Sequence, residues 1–250
     1  MSVLGTDVMH RLSTIRVIIF GVGGVGSWCA EALVRTGLIH LTIVDDDIVQ
    51  ESNVNRQLMA TTQTIGRSKV EELRTRLLAI NPDSDIKALH QRFTADTARE
   101  FQLEQYDYVV DAIDSLKDKA SLLLMACDSP ATVLSSMGAA MKTDPTRIRI
   151  TEFWRVSGDP LARTLRRKFK QLQQFPSKKF LCVYSDEPPK TASPIIQHST
   201  TVQGSTSNVL RSTTKGSLVQ VTAVFGFMLA SIIINAMGFP RGWENEPLWQ

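Results

Sequence analysis

A glycine-rich turn between two apolar segments constrains the fold of this chain more than any other feature. Residues 16–21 form a short β-branched apolar run, and Gly21-Val-Gly-Gly-Val-Gly26 completes the turn. Residues 25–36 then carry apolar side chains at helical spacing, and residues 41–45 form a second apolar run that ends at Asp45. A buried strand, a helix and a second buried strand in about thirty residues make a βαβ unit, which requires a parallel sheet.

The alternation of strand and helix patterns continues through the first half of the 250-residue chain and then stops. Further strands are predicted over 86–89, 106–113, 132–135 and, half-exposed, 147–153; further helices are predicted over 69–80, 95–103, 117–128 and 160–174. We therefore predict an α/β fold with a doubly wound, mostly parallel Rossmann-like sheet. Residues 1–140 are the expected nucleotide-binding domain, and residues 141–250 a smaller carboxy-terminal lobe with a lid-like loop over 185–217.

Three features bear on the compartment. Residues 218–239 are apolar enough to suggest a membrane span, but Gln220, Thr222, Ser231 and Asn235 interrupt them, so we expect a buried carboxy-terminal helix and no stable membrane insertion. Residues 1–16 lack the apolar run of a signal peptide. The three cysteines, at positions 29, 127 and 182, form no Cys-x-x-Cys pair. These features indicate a protein of the reducing cytoplasm.

Positive charge is concentrated in one segment. The net charge is only +3, yet residues 161–185 contain seven basic residues and no acidic one. Two interpretations stay open, a solvated helix face and a contact with a phosphate backbone. The candidate nucleic-acid-binding residues are Arg163, Arg166, Arg167, Lys168 and Lys170; Lys178 and Lys179 complete the set.

The glycine-rich turn lies where a strand passes into a helix, so backbone amides there can approach a phosphate group. Gly21, Gly23, Gly24 and Gly26 are the candidate residues, and Asp45 is placed to accept hydrogen bonds from ribose hydroxyls. Tight packing of the helix on the sheet would also explain the glycines. A dinucleotide-dependent dehydrogenase would satisfy this pattern as well.

The residues that follow the second strand favour a triphosphate over a dinucleotide. Carboxylate, amide, guanidinium and ammonium groups come from Asp45, Asp47, Asn53, Arg56, Gln57 and Lys69. Attack at an α-phosphorus needs cations to neutralise charge and a carboxylate for a metal ion. Surface ion pairs of Arg56 and Lys69 with Glu51, Glu71 or Glu72 are the alternative. Asp114, just beyond the strand over 106–113, is the candidate metal-side acid, whereas Asp111 inside that strand is expected to be structural.

Together these motifs resemble the adenylating superfamily of ubiquitin-activating enzymes and their bacterial relatives in thiamine and molybdopterin synthesis. The motifs are Gly-x-Gly-Gly-x-Gly, Asp-x-Asp, Asn-x-x-Arg-Gln, Gly-x-x-Lys and Asp-x-x-Asp, between residues 16 and 137. The resemblance implies ATP and Mg²⁺ as cofactors. It places Asp45 at the ribose, Asn53, Arg56, Gln57 and Lys69 at the phosphates, and Asp114 at magnesium, with Arg56, Lys69 and Asp114 as the catalytic set.

The second half resembles the tRNA threonylcarbamoyladenosine dehydratase branch of that superfamily. The matching segments are Lys142-Thr-Asp-Pro-Thr-Arg-Ile, Ser157-Gly-Asp-Pro-Leu-Ala and Val221-Thr-Ala-Val-Phe-Gly-Phe. The resemblance implies that ATP activates a threonyl carboxylate of a modified tRNA nucleoside, which then cyclises with loss of water. It also implies a homodimer, to which relatives contribute an amino-terminal arginine; only Arg11 and Arg16 precede the first strand here.

Two other functions stay open on the sequence alone. One is adenylation of the carboxyl terminus of a small ubiquitin-like carrier protein, and the other is a non-catalytic nucleotide-binding role beside a sulfur-transfer partner. Cys182 matches a cysteine of the relatives, where sulfur chemistry would be suspected. Its apolar neighbours favour a packing role, because such surroundings raise the pKa of a thiol.

Overall fold

The computed structural model describes residues 3–188 and 216–238. Seven strands form one sheet: β1 (Arg16–Phe20), β2 (His40–Val44), β3 (Asp85–Leu89), β4 (Tyr108–Asp111), β5 (Thr132–Ser136), β6 (Ile148–Glu152) and β7 (Leu181–Ser185). The helices are α1 (Thr6–Thr14), α2 (Gly26–Arg35), α3 (Lys69–Ile80), α4 (Leu116–Asp128), α5 (Pro160–Leu172) and α6 (Val219–Gly238).

The sheet has the strand order β3-β2-β1-β4-β5-β7-β6. All neighbouring pairs are parallel except β6 and β7, which are antiparallel. The chain leaves β1 toward β2 on one side and later fills the other side with β4, so the order reverses between β1 and β4. A ligand crevice is expected outside the carboxyl ends of the strands at such a reversal. The predicted doubly wound α/β fold is confirmed.

Helices cover both faces of the sheet. Helices α2, α3 and α6 pack on one face around alternate residues of β1 such as Val17 and Ile19, and α4 and α5 pack on the other face around Ile18 and Phe20. A strand buried on both faces reads as a continuous apolar run because side chains point alternately to the two faces. This explains the Val-Ile-Ile-Phe segment of β1.

Most predicted elements lie within two residues of their observed bounds, but the predicted helix over 95–103 is wrong. Two short 3-10 turns, Ala98–Phe101 and Leu103–Gln105, occupy this region. Gln102 between them has φ +47°, a left-handed conformation that ends a right-handed helix. The apolar spacing reflects burial of the turns against the sheet rather than a helical face. The sequence pattern predicts neither α1 nor β7, which the structure adds.

The region after residue 140 continues the same sheet. Strand β7 pairs with β5, and β6 then pairs with β7 as the outermost strand, exposed at Arg149. The division predicted between residues 1–140 and 141–250 therefore does not separate two sheets. Of the predicted loop over 185–217, residues 189–215 lie outside the described part of the chain.

Helix α6 is long and apolar enough to cross a membrane by length and composition, and half of its apolar stretch is buried inside the protein. It packs along α2, and its buried residues include Phe225, Gly226 and Leu229. The prediction of a buried carboxy-terminal helix is confirmed for these residues.

Candidate active site

A cavity of about 640 Å³ opens at the carboxyl ends of the parallel strands. Most of its lining residues follow the strands β1, β2, β3, β4 and β5, and others lie in or next to the first turns of α5 and α6. Its lining comprises Phe20, Gly21, Gly23–Val25, Val44–Asp47, Arg56, Gln57, Lys69, Gln91–Phe93, Ala112–Ser115, Asp118, Ser136–Ala140, Leu161, Ser217 and Thr222. The cavity thus lies at the strand-order reversal, where the fold predicts a ligand.

The glycine-rich turn forms the floor of this cavity, and two of its glycines are required by close backbone contacts. A Cβ atom at Gly21, where φ is +85°, would lie 2.7 Å from the carbonyl oxygen of Ala112. A Cβ atom at Gly26 would lie 1.9 Å from the carbonyl oxygen of Gly21. Gly26 therefore allows α2 to start directly against the turn and does not itself line the cavity. Gly23 and Gly24 line it and leave room for a ligand.

Asp45 joins the glycine-rich turn to the end of β2. One carboxylate oxygen accepts a hydrogen bond from the Val22 amide at 2.8 Å, and the other accepts one from the Asp47 amide at 3.0 Å. Burial raises the pKa of Asp45, although the charge of Lys69 and the two amides act in the opposite direction. The carboxylate is thereby fixed in the cavity wall.

Lys69, the first residue of α3, points into the same cavity. Its Nζ lies 2.7 Å from a carboxylate oxygen of Asp47, and the lysine side chain is only 6% exposed whereas that of Asp47 is 66% exposed. The alternative of a surface pair with Glu71 or Glu72 is wrong, because Lys69 is buried and pairs with Asp47; Glu72 pairs with Arg67 at 3.3 Å. A buried ammonium group facing a cavity suits an anionic ligand.

The loop after β2 carries the remaining predicted phosphate-side residues. Arg56 lines the cavity, and its Nη1 donates to the Ser52 carbonyl at 2.7 Å and to Asn55 at 3.0 Å. It thus does not form the alternative ion pair with Glu51. The indole of Trp28 holds this residue in place by donating to the Arg56 carbonyl at 3.1 Å.

Gln57 and Asn53 have different positions in this loop. Gln57 lines the cavity, is buried, and leaves its Oε1 atom without a hydrogen-bond partner among the described residues. A buried polar atom of this kind is satisfied by a ligand or by ordered water. Asn53 does not line the cavity. Its side chain accepts a hydrogen bond from the Gln50 amide at 3.0 Å and so shapes the loop, while its predicted phosphate contact stays a prediction.

Asp114 follows β4, is exposed and lines the cavity. Sequence reasoning missed its neighbours Arg92 and Asp118. Arg92 donates to a carboxylate oxygen of Asp118 at 2.8 Å and 3.2 Å, and both residues line the cavity. Burial alone would raise the pKa of Asp118, but the hydrogen bond from Arg92 lowers it overall. The loop after β3 has no motif that would have signalled this pair.

The carboxylates of the cavity fit a hard divalent cation. Mg²⁺ prefers oxygen ligands and is commonly held by one or two carboxylates together with substrate phosphates. Asp114 offers such an oxygen beside the cavity. Asp45, Asp46 and Asp47 also bring carboxylate oxygens within 4.8 Å of one another, but hydrogen bonds occupy Asp45 and Lys69 occupies Asp47. Asp114 stays the predicted carboxylate for a metal ion that a ligand brings with it.

One wall of the cavity is made of small and apolar residues. Gly138, Ala139 and Ala140 follow β5 and line it together with Leu161 at the start of α5. Asp159 joins these two segments, because its carboxylate accepts hydrogen bonds from the Gly138 amide at 3.2 Å and the Ala162 amide at 2.9 Å. This wall carries no charged side chain, in contrast to the part of the cavity that is lined by Asp45, Asp47, Arg56 and Lys69 and is called the charged half below.

Helix α5 begins at this wall and contains the predicted basic residues of the surface. Arg163, Arg167 and Lys170 are exposed and Lys168 is half-buried. Arg166 is different: its guanidinium donates to the backbone carbonyls of Phe153 and Val156 and lies over the Phe153 ring. Lys178 likewise donates to carbonyl groups, those of Ser129 and Ala131. These two cations hold local structure.

Cys182 is the second residue of β7 and is fully buried. Burial raises the pKa of its thiol well above the ordinary value. A thiol without solvent access and with little thiolate is a poor nucleophile, so this geometry supports the packing role.

Fold and cavity together define a nucleotide-binding protein of the doubly wound α/β class, and comparison with known proteins gives its family. Residues 1–247 match the ThiF family. The chain belongs to the ThiF family. The chain is 35% identical to a tRNA threonylcarbamoyladenosine dehydratase of Haemophilus influenzae over 237 residues, which are 92% of this chain and 88% of the relative. The resemblance predicted from the motifs is confirmed.

Solved structures agree with this assignment. The Escherichia coli tRNA N6-threonylcarbamoyladenosine dehydratase, solved in complex with ATP, superimposes with a TM-score of 0.80 at 29% identity, covering 94% of this chain and 90% of that one. The same enzyme in complex with AMP gives a TM-score of 0.81 at 30% identity. A sulfur carrier protein ThiS adenylyltransferase of E. coli is 31% identical over 54% of each chain.

Proposed function

We propose that this chain uses ATP to adenylate the threonyl carboxylate of threonylcarbamoyladenosine in tRNA and then promotes cyclising dehydration of that nucleoside. The observation that carries the proposal is the single cavity in which the glycine-rich turn, Arg56, Lys69 and Asp114 meet beside a wall of small residues. A relative that covers most of the chain is named a tRNA threonylcarbamoyladenosine dehydratase, and the Escherichia coli enzyme of that name was solved with ATP and with AMP.

The glycine-rich turn and three residues of the charged half have proposed contacts with ATP. Backbone amides at Gly23 and Gly24 and the start of α2 receive phosphate oxygens, because a helix amino terminus favours negative charge. Asp45 accepts hydrogen bonds from the ribose hydroxyls. Lys69 and Arg56 neutralise the phosphates, which would draw the Lys69 ammonium away from Asp47.

The proposed reaction conserves every atom. A carboxylate oxygen of the threonyl group attacks the α-phosphorus, and the bond to the β-phosphate oxygen breaks, so pyrophosphate leaves. An internal nucleophile of the same modified side chain then attacks the carbonyl carbon of the acyl adenylate, loses its proton, and expels AMP with one carboxylate oxygen. The nucleoside thereby becomes lighter by one water, and no enzyme nucleophile is required.

Magnesium completes the proposed charge balance. Bound with ATP and held on the protein side by Asp114, Mg²⁺ would neutralise the charge on the phosphate oxygens. The protein's own contribution is to hold Arg56, Lys69 and Asp114 around one cavity. Bringing the groups together on a rigid sheet edge lowers the entropic cost of the reaction.

The basic helix α5 is the proposed contact for tRNA. It begins at the small-residue wall and presents Arg163, Arg167, Lys168 and Lys170, whereas the guanidinium of Arg166 is committed to backbone carbonyls. A nucleoside in the cavity would therefore place its flanking phosphates within reach of cations.

We further propose a homodimer in the reducing cytoplasm. The three free cysteines, all buried, suit a reducing compartment. A sulfur-transfer partner is compatible with the proposal only if it uses a group other than Cys182, because that thiol is inaccessible.

One experiment tests the proposal directly. Incubation with ATP, Mg²⁺ and threonylcarbamoylated tRNA should yield AMP, pyrophosphate and a nucleoside lighter by one water. Arg56→Ala should lose this product, whereas Arg67→Ala, which removes an exposed arginine outside the cavity, should retain it. Pyrophosphate exchange that responds to a ubiquitin-like protein and not to tRNA would replace the proposal with carrier-protein adenylation. ATP binding without AMP formation would indicate a non-catalytic role.

A further inference from the structure

A buried ion pair lies directly beneath the segment that carries Asp114. Asp111, the last residue of β4, and Lys119, in the first turns of α4, both have fully buried side chains, and Lys119 Nζ lies 2.7 Å from a carboxylate oxygen of Asp111. The same oxygen accepts a hydrogen bond from the Ser135 hydroxyl at 2.6 Å. None of these three residues lines the cavity.

Asp111 and Lys119 both form hydrogen bonds with the backbone of Ile113. The other carboxylate oxygen of Asp111 accepts a hydrogen bond from the Ile113 amide at 3.1 Å. Lys119 Nζ donates to the Ile113 carbonyl at 3.0 Å. Both polar groups of Ile113 are therefore held by the pair, and the residue so held immediately precedes Asp114.

The glycine-rich turn presses against the other side of this segment. The Cβ position of Gly21 lies 2.7 Å from the Ala112 carbonyl oxygen, so residues 112 and 113 are held between the turn and the ion pair. Residues 112 and 113 therefore have little freedom to move, and they fix the backbone position from which the Asp114 carboxylate extends. Removing a group that orients a metal-binding side chain without itself binding the metal typically weakens metal affinity ten- to a hundredfold.

A buried ion pair is not needed here if its only role is to stabilise the fold. Burying two opposite charges costs desolvation energy that their attraction often only offsets, and apolar residues of similar size commonly serve stability as well. The energetic cost is understandable if the pair fixes a particular backbone geometry. We propose that Asp111 and Lys119 are positioning residues that set the Asp114 carboxylate for the magnesium ion bound with ATP. This inference rests on the role of Asp114 in the proposed function.

The central test variant is Asp111→Asn/Lys119→Met, which removes both charges and leaves no unpaired ion in the core. Ser135→Ala is a milder second variant, because it removes one hydrogen bond and keeps the ion pair. Arg76→Met is the control, since it breaks an ion pair between the half-exposed Arg76 of α3 and the buried Glu31 of α2, away from Asp114. Thermal unfolding identifies variants that are folded.

Two measurements read out positioning rather than folding. In the nucleotide-free protein, amide hydrogen exchange over residues 112–115 should become faster in the double variant and stay unchanged in Arg76→Met. In Mg²⁺ titrations of ATP binding, the half-saturating Mg²⁺ concentration should rise about tenfold, with metal-free ATP affinity changed less than about twofold. Ser135→Ala should shift the titration in the same direction by a smaller factor.

An epistasis measurement decides whether the pair acts through Asp114. In an Asp114→Ala background, the double substitution should produce no further shift of the Mg²⁺ titration. A full additional shift would overturn the inference. So would unchanged hydrogen exchange together with an unchanged Mg²⁺ titration in the double variant. ATP binding by the wild type that does not depend on the Mg²⁺ concentration would overturn it as well. If the wild type does not carry out the tRNA reaction, but the double variant still shows the expected shifts in hydrogen exchange and in the Mg²⁺ titration, only the proposed function is refuted.

Discussion

Lys69 and Asp47 form an ion pair inside the cavity in which the cation is buried and the anion faces solvent. The carboxylate of Asp47 thus supplies the negative charge that the ammonium group needs when no other anion is near. A phosphate group entering the cavity would compete for the same ammonium, and the interaction it displaces involves a largely exposed carboxylate.

We expect Lys69→Ala to reduce ATP–pyrophosphate exchange about a hundredfold, because it removes a preorganised cation from the charged half of the cavity. The fold should persist, since α3 is still anchored by Val70, Leu73 and Leu77. Lys87→Ala, which removes a lysine from β3 away from the cavity, is the control and should leave exchange unchanged. Equal exchange rates in both variants would remove Lys69 from the proposed mechanism.

Substitutions in the glycine-rich turn should separate binding from stability. Gly26→Ala places a methyl group 1.9 Å from the Gly21 carbonyl oxygen and should lower the free energy of unfolding by about 3 kcal/mol. Gly23→Ala meets only the Gln57 amide at 3.5 Å, an ordinary contact, and should cost less than about 1 kcal/mol. Its methyl group would nevertheless obstruct the phosphate path, so ATP affinity should fall about tenfold. Denaturant unfolding and calorimetric ATP titration measure the two effects; normal ATP affinity of Gly23→Ala would contradict the assignment.

The buried carboxylate of Glu31 should make stability depend on acid pH. Burial alone would raise the pKa of Glu31, but hydrogen bonds and charges from Arg76 and Arg35 outweigh it and hold the pKa below its ordinary value of 4.5. Its contribution to stability is therefore fully present above pH 4.5 and is lost as the pH falls through the lowered folded-state pKa. Glu31→Gln should be about 1 kcal/mol less stable than the wild type at pH 7, because the half-exposed arginines limit the effect. Denaturant unfolding from pH 7 to pH 3 should show the difference shrinking; a constant difference would exclude this titration.

The arginines of helix α5 should differ in role: one should stabilise the fold, and two should bind tRNA. Arg166→Ala removes hydrogen bonds to backbone carbonyls and should cost about 1 to 2 kcal/mol of stability. Arg163→Ala/Arg167→Ala removes two exposed cations one helical turn apart and should leave stability unchanged. This double variant should weaken tRNA binding and lower the slope of log affinity against log salt by about one for each phosphate that is no longer neutralised. An unchanged salt slope would favour the alternative of a solvated helix face.

The sequence was sufficient to predict the sheet edge, but not the contacts that organise it. Strands β1, β2 and β4 are buried on both faces, so their apolar runs are unambiguous, and the residues that follow them have to meet at one edge. The pairs Arg92–Asp118 and Asp111–Lys119 cannot be predicted as pairs because packing, rather than local spacing, brings α4 against the ends of β3 and β4. Arg166 illustrates the same limit: nothing in a run of basic residues distinguishes one that turns inward to backbone carbonyls from its exposed neighbours.

Helix α6 has a consequence for how the chain can be shortened. It seals one face of the sheet against α2, and its Gly226 allows a helix-to-helix approach in which a Cβ atom would lie 2.5 Å from the Val25 carbonyl oxygen. Its first turn also brings Thr222 to 3.3 Å from the Cβ position of Gly24. A fragment ending at residue 140 would therefore lose the back wall of its own nucleotide loop and expose the apolar side of α2. We expect such a fragment to aggregate rather than to survive as a minimal ATP-binding module.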